Sequence, residues 1–150
     1  TVIRDTLARS MPDGTARMFS LDMDAKSLIT EPAFPDKLTG PGWWEARGIA
    51  WTGRGKITRV EITTDGGKTW HNARLDEPVL PKCHTRFRFP FEWTGNETII
   101  ASRATDDTGY VQPTYDMLLK ARGPNTAYHF NNIRSWKIHA DGTVKFAGGL

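Results

Sequence analysis

The sequence predicts an all-β protein: an antiparallel β-sandwich of immunoglobulin-like type with an N-terminal extended arm. Three observations carry that expectation. Short runs alternate apolar and polar residues at period two, turn signals separate them, and only one stretch has helical spacing. The composition agrees, because 14 Gly, 9 Pro and 11% aromatic residues favour many short strands. Hydrophobic and charged fractions of 38% and 25% exclude a disordered chain or a coiled coil. A chain of 150 residues buries roughly two thirds of its unfolded surface, so one core needs neither disulfide nor metal.

Residues 1–20 mix charged and small side chains, and Glu31–Asp36 contains two prolines that each lack a backbone donor. Residues 1–34 therefore read as an extended arm with a weak strand over Met18–Met23, and residues 35–150 as the sandwich. Trp44–Trp51 is the first clear strand and stops at Gly53-Arg54-Gly55. Ile57–Thr64 follows, with Val60 and Ile62 on a buried face and Arg59, Glu61 and Thr63 on a wet one. Asp65-Gly66-Gly67 supplies the positive-φ residues of a tight hairpin, with Lys68–Leu75 as the return strand.

Thr85–Phe91 places three phenylalanines at spacing two, and its Pro90 predicts a sheet edge or a strand end. Glu97–Thr105 is the next strand, ended by Asp106-Asp107-Thr108-Gly109. Pro113–Ala121 has helical spacing and is closed by Gly123-Pro124. A last hairpin, Ile133–Ala140 with Thr143–Phe146, turns at Asp141-Gly142. The Cys-Trp-Cys core of antibody domains is absent, as are internal repeats.

Function classes narrow next. A net charge of +3 with both signs interspersed lacks the dense basic stripe of nucleic-acid binders, although Arg outnumbers Lys and suits planar anions. One cysteine, Cys83, rules out an intrachain disulfide and paired-cysteine zinc knuckles. No apolar run is long enough to span a bilayer as a helix. The start Thr1-Val2-Ile3-Arg4-Asp5 lacks an initiator Met and a signal-like apolar region, as in a mature product or an internal fragment.

The four histidines form no HExxH pair, and the Cys83-His84 neighbours point to opposite faces of an extended strand. A zinc site from His71, Cys83 and His84 is the sharp reading and solvated or packed side chains the default. No nucleotide-binding or nucleophile-elbow motif is present, so this chain carries no anchor for catalysis of its own. The six tryptophans fit either a carbohydrate platform or a core, with strand spacing favouring core. In Lys120-Ala121-Arg122-Gly123-Pro124-Asn125, Arg122 sits beside a glycine that permits close approach. It could bind an anion or pair with Asp106 or Asp107.

Two strings, Gly42-Trp43-Trp44-Glu45-Ala46-Arg47-Gly48-Ile49-Ala50-Trp51-Thr52-Gly53-Arg54-Gly55 and Val60-Glu61-Ile62-Thr63-Thr64-Asp65-Gly66-Gly67-Lys68-Thr69-Trp70, resemble the C-terminal dimerisation domain of sulfite-oxidase-family molybdenum enzymes. Ala25–Pro32 resembles the junction leaving their cofactor domain, Arg103–Asp107 a late strand and Gly109–Pro113 the loop after it. Pro81–Phe87 and Ala121–His129 look most like the molybdenum subunits of sulfane dehydrogenases within that family.

The resemblance implies an E-set type sandwich that joins two catalytic subunits into a homodimer. It implies that molybdopterin and its molybdenum-ligating cysteine lie in an upstream domain, with Cys83 matching no ligand position and no cofactor or metal in this chain. Arg122-Gly123 matches an Arg-Gly step whose arginine helps line the anionic substrate pocket. The parent enzyme implied oxidises sulfane sulfur on a carrier protein and passes electrons to a c-type cytochrome subunit in the periplasm. The alternatives are the same domain of a sulfite oxidase or sulfite dehydrogenase, and a free-standing immunoglobulin-like binding module.

Overall fold

The computed structural model describes residues 6–10, 12–14, 16–124 and 129–150. Strands β1 (Thr6–Ser10) and β2 (Ala16–Ser20) pair antiparallel with each other and form a separate two-stranded sheet. The body contains β3 (Lys26–Glu31), β4 (Gly42–Trp51), β5 (Ile57–Thr63), β6 (His71–Asn72), β7 (Arg74–Leu75), β8 (Thr85–Trp93), β9 (Thr98–Asp106), helix α1 (Tyr115–Arg122), β10 (Arg134–Ile138) and β11 (Val144–Gly149). Two antiparallel sheets result, in the orders β3-β4-β8-β7 and β11-β10-β9-β5-β6. This is the all-β sandwich that the period-two patterning predicts.

Alternation builds the core directly. Ile29, Ala46, Ala50, Phe87 and Phe91 of the first sheet face Val60, Ile62, Ile100, Ala104 and Ile138 of the second, all of them buried. Gly48 is required where β4 crosses Phe87, since a Cβ there would lie 2.3 Å from the Phe87 ring and from the Leu28 carbonyl oxygen. Pro90 lies within β8 and not at its end. The neighbouring β7 pairs only with Phe87 and Arg88, so at Pro90 the strand is already the sheet edge.

Three local expectations change. The sandwich begins at Lys26, inside the stretch read as arm, because Lys26–Glu31 pairs along β4 from Trp51 to Arg47. Its Ser27 is satisfied by buried polar partners and not by apolar packing. The return strand after Asp65-Gly66-Gly67 is no continuous hairpin arm. The Asp65 carboxylate accepts hydrogen bonds from Thr63 Oγ1, Thr69 Oγ1 and the Lys68 and Thr69 amides, which closes a longer loop. These bonds, the Thr69 hydroxyl foremost, hold the Asp65 carboxyl far below the usual carboxylate range.

Beyond that loop β6 pairs with β5 while β7 pairs with β8, so the chain steps from one sheet to the other at Ala73. The third change concerns β5. Glu61 and Thr63 are buried and not wet, because Arg103 of the adjacent β9 pairs with Glu61 through two hydrogen bonds of 2.8 and 3.1 Å. Trp70 lies over that guanidinium at 4.3 Å from its centroid.

Candidate functional site

One group of charged side chains gathers where α1 meets the segment before β3. The helix starts at Thr114, whose hydroxyl accepts from the Met117 amide at 3.3 Å, and buried Leu118 anchors it. Asp116 in its first turn and Lys120 and Arg122 in its last match the helix dipole. Gly123, at φ 75°, caps it by donating its amide to the Leu119 carbonyl at 2.7 Å. Arg122 is thereby fixed as the last helical residue.

The Arg122 guanidinium donates to the Asp24 carboxylate through Nη2 and to the His129 carbonyl through Nη1 at 3.2 Å. Asp24 is only 5% exposed, and its other oxygen lies 2.7 Å from Arg54 Nη2, an ion contact outside hydrogen-bond geometry. One buried carboxylate thus stands between two arginines drawn from distant parts of the sequence, and the triad carries one net positive charge. Both guanidiniums keep about a third of their side-chain surface exposed.

Close backbone contact places the second arginine. The Gly53 amide donates to the Met23 carbonyl at 2.8 Å, and a Cβ on Gly53 would sit 2.7 Å from the Met23 nitrogen. Thr52 Oγ1 donates to buried Asp106 at 2.9 Å, and Asp106 also accepts from Thr108 and from the Tyr110 amide. The Tyr110 ring lies 5.8 Å beneath Arg54, and its hydroxyl accepts from Asn131 at 3.0 Å. Burial pushes the Tyr110 phenol above its ordinary pKa, partly offset by the Asn131 hydrogen bond. Nearby, Lys26 donates to the Phe130 carbonyl at 2.8 Å, and burial followed by repulsion from Arg134 lowers its pKa.

Sequence reasoning found Arg122 but not its partner. Asp106 is occupied by its own loop, and the pairing goes instead to Asp24, which sits in a run with little pattern. Arg54 was legible only as part of a turn, and Asn131 and Gln112 gave no signal. Gln112 is buried and ties β3 to β9, accepting from the Ser27 and Ala104 amides at 2.9 and 3.1 Å. The Asn125–Tyr128 part of the tail resemblance and the Thr1–Asp5 start lie outside the described residues.

The remaining candidates are scattered. Cys83 is exposed, His84 lies edge-on to Trp51 at 5.4 Å, and His71 stacks on Phe89 at 6.1 Å. Among the described residues no three His, Cys, Asp or Glu side chains converge on a metal position, and the triad's carboxylate is already committed to arginines. Trp93 is buried and Trp43 is 73% exposed, with the other tryptophans between them, so the rings form neither one shelf nor one core.

The family model for the Mo-co oxidoreductase dimerisation domain matches residues 17–136, and the chain belongs to that family. In the sulfane dehydrogenase SoxCD from Paracoccus pantotrophus, a solved chain superposes with a TM-score of 0.84 at 47% identity, over 93% of this chain and 36% of that one. A nitrate reductase [NADH] from Solanum lycopersicum is 34% identical over 106 residues, 61% of this chain and 12% of the relative. A sulfite oxidase from Gallus gallus is 33% identical over 98 residues, 61% of this chain and 21% of the relative. The chain thus spans a small part of these relatives' own length.

Proposed function

We infer that this chain is the dimerisation domain of a sulfane dehydrogenase-like molybdenum oxidoreductase acting on carrier-bound sulfane sulfur. The observation that carries this reading is the 47% identity to the SoxCD chain over nearly the whole sequence, well above its identity to the sulfite oxidase. Residues 1–34 then include the junction from an upstream molybdopterin domain. Two copies associate through the sandwich, and the parent enzyme works in the periplasm with a c-type cytochrome subunit and a sulfur-carrier protein. When bound upstream, the molybdenum group supplies the two-electron oxidation.

The contribution of this chain is assembly and one wall of an anionic pocket. Arg122 is the substrate-side arginine in this reading, supported by its position at a helix end with part of its guanidinium open to solvent. A planar fork of donors orients an oxyanion and stabilises its charge. Asp24 holds the fork from behind, so binding does not need to order a free side chain.

Full-length parent enzyme assayed against carrier-bound thiosulfate and against free sulfite tests the assignment. Turnover of the carrier-bound substrate is expected, and turnover of sulfite alone would replace this reading with the sulfite dehydrogenase one. In the same enzyme Arg122→Ala is expected to raise KM for the anionic substrate by ~10-fold or more, with Arg122→Lys recovering part of the loss. Unchanged kinetics in both variants would remove Arg122 from the pocket.

A further inference from the structure

We propose that Arg54 is a second anion-binding residue of the pocket, so that the charged end of the substrate is gripped by two guanidiniums, Arg54 and Arg122, held on the two oxygens of Asp24. This deepens the pocket reading above and rests on it.

The two arginines spend their donors differently. Arg122 gives one terminal nitrogen to Asp24 and the other to the His129 carbonyl, and its backbone is fixed by the end of α1. Arg54 meets the other Asp24 oxygen at 2.7 Å, yet that contact lacks hydrogen-bond geometry and the oxygen has no hydrogen-bond partner. A guanidinium carries five N–H donors. Among the described residues, none of those on Arg54 makes a hydrogen bond. Asp107, whose carboxylate lies against Gly55 in the same turn, forms no ion pair with it either. The Arg54 side chain is 36% exposed, so these donors are open to a ligand.

Unspent donors are useful only on a side chain that is already held. The Arg54 amide donates to Thr52 Oγ1 at 3.3 Å, and that hydroxyl is itself tied to buried Asp106. The guanidinium lies over the Tyr110 ring, which Asn131 fixes through the phenol. Charge against Asp24 and the ring beneath it set the position of the fork and leave its hydrogen bonds for a ligand.

Sharing one carboxylate keeps the two guanidiniums close. Their nitrogens on Asp24 lie within roughly 8 Å of each other, the span of one carboxylate and two such contacts. One negative charge between two positive ones leaves an excess that a sulfur oxyanion can neutralise. Such an anion has more than one edge of acceptor oxygens, and each planar fork can take one.

Full-length parent enzyme tests this, with inorganic sulfate as a competing anion and whichever of the two substrates above it turns over. Arg54→Ala is expected to raise KM and the sulfate inhibition constant together by ~5-fold or more, with a smaller change in kcat. Arg54→Lys keeps the charge without the fork and is expected to recover part of both. Arg54→Gln replaces Arg54→Ala if the shorter side chain does not fold, and circular dichroism checks each variant.

In an Arg122→Ala background, Arg54→Ala is expected to weaken sulfate inhibition further. No additional loss there would make Arg54 a support for Arg122 alone and overturn its direct contact with the anion. Unchanged constants in Arg54→Ala beside impaired ones in Arg122→Ala would overturn the proposal and leave the Arg122 reading standing. Unchanged constants in both single variants would remove both.

Discussion

The outer faces of the two sheets are built on the same alternation and end in different states. On the five-stranded sheet, Glu61, Arg103 and Trp70 close over one another, and Glu61 and Thr63 are buried. On the four-stranded sheet the equivalent alternate positions of β4 and β8 remain open, with Trp43, Arg47, Arg86, Arg88 and Glu92 all exposed. The loop between β5 and β6, closed by the Asp65 hydrogen bonds, sets Trp70 against Arg103, whereas no described segment covers the exposed alternate positions of β4 and β8. A finished face contributes to the stability of the single chain, and an open one can contribute to association.

Mutations sharpen that contrast. The inner face is shared by both sheets, so Phe87→Ala is expected to be the most costly substitution, about 3–5 kcal/mol of unfolding free energy from urea titration. A loss under ~1 kcal/mol would mean that the sheets are not packed through Phe87. Next comes the closed outer face. Arg103→Ala strips the bidentate partner from a buried carboxylate and is expected to cost about 2 kcal/mol. Arg88→Ala, an exposed pair on the open face, should cost less than ~0.5 kcal/mol. Equal losses at the two arginines would erase the distinction between the faces.

Acid provides an independent reading of the closed face. The hydrogen bond from Arg103, opposed in part by burial, holds the Glu61 carboxyl below its ordinary value. Stability from this pair is therefore fully present above the unfolded carboxylate pKa of about 4.3 and is lost as pH falls through the lower folded value. Urea midpoints measured between pH 7 and pH 2.5 should fall more steeply across that window in the wild type than in Arg103→Gln. Parallel curves would show that Glu61 contributes nothing to the acid limb.

Much of this architecture was legible beforehand, and the failures have identifiable causes. Phe87, Phe89 and Phe91 at spacing two, Val60 with Ile62, and the Asp141-Gly142 turn each pointed to the element observed, because period and turn chemistry are local properties. The strand at Lys26–Glu31 was missed because its buried positions alternate between Ser27 and Ile29, and a serine reads as solvent-facing until Gln112 is brought to it across 85 residues. Glu61 was placed in water for the same reason: a carboxylate is buried only when a cation on another strand accompanies it.

The candidate site divides along the same line. Arg122 stood out beside Gly123, since a glycine at a helix end has a local cause in its positive φ. Asp24 and Arg54 did not, because charge pairing depends on distance in space, and 98 residues separate Asp24 from Arg122. The linear order of residues was enough to define most of the strands, the turns, the helix end at Gly123 and the family to which the chain belongs. Which carboxylate meets which arginine, which outer face is covered and which stays open follow from the closing of the sheets, since long-range electrostatics and burial exist only once the chain has come together.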